Sequence, residues 1–68
     1  MPKYFCTQRP PAPGVVPADG LIAAEDYGKR SYVAAIDRMA WGSVVYSREL
    51  ASWEIMRYEL TREPREEE

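Results

Sequence analysis

The chain has 68 residues, 46% hydrophobic and 29% charged, with a formal net charge of −2. It has no histidine and one cysteine, Cys6, which excludes an intrachain disulfide, a tetrahedral Cys/His zinc site and Ser-His or Cys-His catalysis. So short a chain buries only about 60% of its extended-chain surface on folding, so nearly every large apolar residue is needed for the core and a deep active site is not expected.

No run of about 20 apolar residues is present for a membrane-spanning helix, and no apolar signal core follows Met1. The expected location is cytoplasmic, with Cys6 reduced. In an apolar strand with no cation closer than Lys3, Cys6 reads as a small buried hydrophobe rather than a reactive thiolate.

In chain order, Lys3 to Gln8 (KYFCTQ) reads as a β-strand. Arg9 to Pro17 (RPPAPGVVP) reads as extended polyproline II turning at Pro13-Gly14, a stiff connector that packs across the sheet and shields an edge strand. Its one P-x-x-P, Pro10 to Pro13, lacks a second turn and a flanking cation in frame for a groove ligand. Asp19-Gly20 is a turn dipeptide. Leu21 to Tyr27 reads as a strand leaving at Gly28.

Tyr32 to Ala40 has two readings. Val33, Ile36 and Met39 or Ala40 fit one helical face; alternatively a strand ends at Val33 and Asp37-Arg38 lies in a turn. Trp41 to Ser47 is the best strand in the sequence, and Gly42 within it marks a bulge or a close backbone approach. Ser47 or Ser52 then caps a helix from Glu49 to Tyr58, with Leu50, Trp53, Met56 or Arg57, and Leu60 at helical spacing; Glu54 to Tyr58 as an alternating strand is the other option. Thr61 to Glu68 has no apolar residue and reads as a disordered acidic tail.

These pieces predict an α+β fold: a small antiparallel sheet of three or four strands with one C-terminal helix packed on one face. Residues 1–60 form one domain, 9–20 its connector, and 61–68 the tail. Trp41, Val44, Tyr46, Trp53, Ile55 or Met56, and Leu60 are its expected core. A homodimer through an exposed strand or the helix would add burial that one chain lacks.

Charge divides along the chain. Residues 1–48 carry Lys3, Arg9, Lys29, Arg30, Arg38 and Arg48 against Asp19, Glu25, Asp26 and Asp37, while the acidic excess lies beyond Arg48. Neither part has the basic footprint of a duplex-DNA binder. Glu25 and Asp26 are adjacent, so in a strand they point to opposite faces and do not converge on a metal or a proton. No catalytic residue, metal ligand or cofactor site emerges.

From Trp41 to Leu60, the run W-G-S-V-V-Y-S-R-E-L followed by E-I-M-R-Y-E-L resembles a pattern in short proteins of bacterial mobile elements, phages and conjugative elements. That pattern is roughly W-G-x-V-x-Y-x-R-x-L, then E-I-x-x-Y-E-L. The segments R-P-P-A-P-G-V-V-P and E-D-Y are similar to the N-terminal halves of those proteins. Their helix starts after a Thr with several Glu, where this chain has Ala51-Ser52-Trp53. The resemblance implies a mobile-element accessory protein, a kind that often binds and blocks a host defence enzyme.

The expected function is therefore non-enzymatic: binding and inhibition of a bacterial immune effector, such as a CRISPR nuclease, by surface docking. Tyr and Arg dominate binding hot spots, which makes Arg30, Tyr32 and Arg38, with Tyr27 and Arg48 behind them, the expected contacts. The partner is a protein, including one that carries nucleic acid, and not a small-molecule substrate or a membrane. Two other classes fit the residues: a single-stranded nucleic-acid binder using Lys29, Arg30, Arg38 and exposed tyrosines, and a structural subunit of a homo-oligomer.

Overall fold

The computed structural model describes residues 1–64. Its elements are β1 (Lys3–Cys6), β2 (Leu21–Val33), β3 (Arg38–Tyr46), α1 (Ser52–Arg57) and β4 (Leu60–Arg62). The strands form one sheet in the order β2-β3-β1-β4, and every pairing is antiparallel. This is the expected α+β architecture, four strands and one short helix near the C-terminal end.

Burial follows position in the sheet. β1 lies between β3 and β4, so Tyr4 and Cys6 on one face and Phe5 on the other are all buried. β3 adds Val44 and Tyr46 to the face that carries Tyr4 and Cys6, and Leu50 and Leu60 belong to the same cluster. The Tyr4 and Tyr46 rings meet edge to face, 5.9 Å between centroids and 80° between planes, a favoured aromatic geometry. Both hydroxyls are satisfied: Tyr4 accepts from the Leu50 N–H at 2.9 Å, and Tyr46 donates to the Pro17 carbonyl at 2.5 Å.

The proline segment is part of this core. Its turn is where the sequence puts it, with Val15 N–H donating to the Ala12 carbonyl at 3.1 Å around Pro13-Gly14. Beyond the turn, Val16 joins the buried cluster. Before it, the Pro11 ring comes close to Gly42 of β3: a Cβ on Gly42 would stand 2.6 Å from Pro11 Cδ and 2.3 Å from the Glu25 carbonyl oxygen. The connector thus covers the face of an inner strand, and the sequence's expectation of a shielded sheet edge gives way to this.

Residues 32–40 resolve as strand, turn and strand. Val33 pairs with Arg38, and Asp37 closes the turn at φ 54, a left-handed conformation that Asp tolerates. β2 continues past Gly28 to Val33 instead of leaving there. Asp26 pairs with Gly42 and Ser31 with Ala40, so four residues of β2 stand opposite Trp41 alone. Gly28 makes this bulge feasible at φ +77, and its N–H donates to the Asp26 carboxylate at 2.8 Å.

Other expectations need correction. The helix is Ser52–Arg57, shorter than Glu49 to Tyr58, because Ala51 is extended at its start and Glu59 turns left-handed at φ 56 beyond its end. Neither Ser47 nor Ser52 caps it; the Ala51 N–H instead donates to the Glu54 carboxylate at 2.9 Å. Trp41 is half-buried, while Trp53 is 63% and Met56 77% exposed. One helical turn and a half has a single inward stripe, and Glu54, Ile55 and the following Tyr58 occupy it.

The acidic tail does not begin at Thr61. Thr61 and Arg62 belong to β4, opposite Phe5 and Tyr4, and the Glu63 N–H donates to the Lys3 carbonyl at 2.8 Å. An edge strand held by its backbone ladder needs few apolar side chains, and Arg62 anchors this one with two bonds to Glu49, 2.9 and 2.6 Å. The remainder of the expected tail, residues 65–68, lies outside the described residues.

Gly42→Ala tests the close approach. Neither contact is with a flexible chain end, so the added methyl must part β2 from β3 or lift the connector, and overpacking of this kind costs roughly 1–3 kcal/mol. The expected result is a lower urea midpoint at unchanged slope.

Candidate interaction surface

Two exposed regions carry the residue types that bind partners. The first is the β2–β3 hairpin. The bulge presents Lys29 and Arg30 to solvent and leaves Tyr27 half-buried. Tyr32 is 60% exposed, and its hydroxyl donates to the Asp37 carboxylate across the turn. That bond raises the Tyr32 pKa, because the phenol must lose its proton beside a carboxylate. Tyr27 and Tyr32 share an open groove of about 610 Å³ with Lys3, Glu25 and Glu63, over a floor that includes Phe5.

The five contact residues expected from sequence do not form one patch. Tyr27 and Tyr32 meet in the groove, and Arg30 stands on the bulge between them without lining it. Arg38 is exposed at the start of β3, its guanidinium 3.5 Å from the Thr61 hydroxyl. Arg48 lies beyond the opposite end of β3 and is committed to the fold. Its Nε donates to the Asp19 carbonyl at 3.0 Å, and its two terminal nitrogens donate to the Glu54 carboxylate at 3.0 and 2.9 Å.

That pair shapes the second region. Glu54 is 8% exposed, and the bonds from Arg48, with a further one from the Ala51 N–H, hold its pKa at about 2. Drawing Glu54 inward puts Trp53 and Met56, three residues apart and so on one helix face, in water beside Arg57. Helical spacing alone cannot choose between this face and the one carrying Ile55. The deciding contact comes from Arg48, outside the helix, and sequence periodicity does not contain it.

Cys6 is inert at neutral pH, since burial, outweighing the cation of Arg9, pushes its thiol up to about 11. Among the described residues no three of Cys, Asp and Glu gather as a metal site, and no helix is long and apolar enough to cross a membrane.

A family model described as defence against restriction A C-terminal matches residues 2–65. No curated protein and no solved structure matches the chain.

The Arg48–Glu54 pair makes stability pH-dependent in a stated window. Glu54 titrates near 4.5 when unfolded and near 2 when folded, so the pair's contribution is complete above about 4.5 and is lost as the pH falls through about 2. Thermal midpoints measured down this range should drop, and Glu54→Gln should flatten that part of the drop while lowering the midpoint at pH 7.

Proposed function

The chain belongs to the defence against restriction A C-terminal family, and from that membership we propose that it shields mobile-element DNA from a bacterial restriction system by binding the effector. Restriction acts on incoming DNA, so the family agrees with the mobile-element resemblance of the Trp41 to Leu60 pattern. The family description favours a restriction nuclease complex over a CRISPR nuclease as the effector. The reading is of a non-enzymatic protein that works by surface docking.

The observation that carries the mode of action is the outward face of α1. Trp, Met and Arg are enriched at interfaces, and Trp53, Met56 and Arg57 stand together in water on α1. Burying a tryptophan gives a partner one of the largest contact areas any side chain offers. Tyr27, Arg30, Tyr32 and Arg38 on the hairpin are a second proposed contact region. The inert thiol of Cys6 fits a binding role and not covalent chemistry.

The test is a DNA-cleavage assay with purified restriction complexes, with and without the protein, alongside co-elution of the two. Wild type should slow cleavage and co-elute. Trp53→Ala with Met56→Ala should lose at least about tenfold in inhibitory potency, since hot-spot truncations cost about 2 kcal/mol or more. Its unfolding free energy should stay within about 0.5 kcal/mol, as for other exposed substitutions. Undiminished inhibition by that variant refutes the α1 face, and protection without any bound protein refutes effector docking. A gel shift of single-stranded DNA by the protein alone, fading steeply with salt, would replace it with direct nucleic-acid binding.

A further inference from the structure

The structure leaves one long strand edge open. β2 is 13 residues long and lies at the border of the sheet, with β3 on one side and no strand among the described residues on the other. Most of it is exposed, including Leu21 at 38%, Ile22 at 50% and Tyr32 at 60%. β1 ends opposite Gly42, so beyond that point β2 and β3 continue as a two-stranded arm with no third strand among the described residues. Two-stranded ribbons are marginal in water, and a third strand is what stabilises them. The opposite border, β4, has only three residues and is anchored through Arg62 and Glu49.

The charges on β2 are arranged for its own copy. Glu25 and Asp26 precede Tyr27-Gly28, and Lys29 and Arg30 follow. Reversing the strand therefore sets acids against bases. Of these, Asp26 is engaged by the Gly28 N–H, while Glu25, Lys29 and Arg30 have no ion-pair partner among the described residues. We propose that this edge pairs antiparallel with β2 of a second copy, making a homodimer with one continuous sheet.

A two-fold axis normal to an antiparallel pair requires some residue to face its own equivalent. With the axis at Tyr27, Glu25 faces Lys29 of the second copy and Lys29 faces its Glu25, giving two ion pairs. Such an interface is isologous and closes at two copies. The bulge at residues 27–30 interrupts the ladder at the axis, so the strand segments on either side of it carry the pairing. The charge order selects against parallel pairing, which would set acid on acid and base on base. Pairing uses the strand edge and leaves α1 unobstructed.

Sedimentation equilibrium of the full chain at low salt should give twice 7.8 kDa, dissociating on dilution and with added salt. Glu25→Lys alone, and Lys29→Glu alone, should each weaken the dimer roughly tenfold or more, because each puts two like-charge pairs at the axis. Combining Glu25→Lys with Lys29→Glu should restore it, which a folding defect would not do, and circular dichroism should show all three variants folded. A wild-type mass of one chain at its highest soluble concentration overturns the proposal. So does a dimer indifferent to the single reversals, or one the combined variant fails to restore.

Discussion

The bidentate pair of Arg48 with Glu54 sets the character of the outer surface. Arg48 leaves the end of β3 and binds two places at once, the Asp19 carbonyl at the end of the connector and the carboxylate in the first turn of α1. It therefore joins sheet, connector and helix. A partly buried pair is a modest source of net stability, since desolvation and solvent screening offset much of the attraction. Its larger effect here is orientational. A six-residue helix contributes little helical stability of its own, so the side chain that is tied down decides the rotation of all the rest. With Glu54 held inward, Trp53 and Met56 have only solvent to face.

The same shortage of material explains the use of tyrosine. A core of this size cannot be built from aliphatic residues in two layers alone, so the connector becomes part of the covering layer. Tyr4 and Tyr46 are 0% exposed, and each reaches past the sheet with its hydroxyl to fix a segment that has no ladder of its own: the approach to α1 through Leu50, and the connector through Pro17. Gly42 lets the connector come close enough for this. A side chain there would collide both with the Pro11 ring and with the neighbouring strand, so the approach of Pro11 and the pairing with β2 depend on the same missing atom.

Features set by local chemistry were legible in the sequence. The β-branched and aromatic run after Trp41 marked β3, Gly42 marked a bulge or a close approach, and Pro13-Gly14 marked a turn. Features set by remote partners were not. Val33, Ile36 and Met39 have helical spacing, yet the pairing of β2 with β3 claims the segment as a hairpin. Thr61 and Arg62 have tail composition, yet β1 offers them a backbone ladder. The site divides the same way: Tyr32 stands exposed on an open sheet face, where residue type alone suggested a contact, whereas the inward draw of Glu54 and the outward turn of Trp53 follow from an arginine outside the helix. Arg48, expected at the surface on charge alone, is absorbed by that role.

The exposure of Trp53 has an energetic meaning that its neighbours do not share. An aromatic side chain of this size buries about 150–250 Å², and at about 25 cal/mol per Å² leaving 63% of it in water forgoes roughly 2–4 kcal/mol. Small domains hold only about 5 kcal/mol in total. Rotating α1 to bury Trp53 and Met56 would recover part of that, but it would expel Ile55 from the core and separate Glu54 from Arg48. The fold thus holds apolar area outside against the pull of its own core, by means of one ion pair. Such area is released from water only when another surface covers it, and the binding energy it then supplies has not been spent on folding.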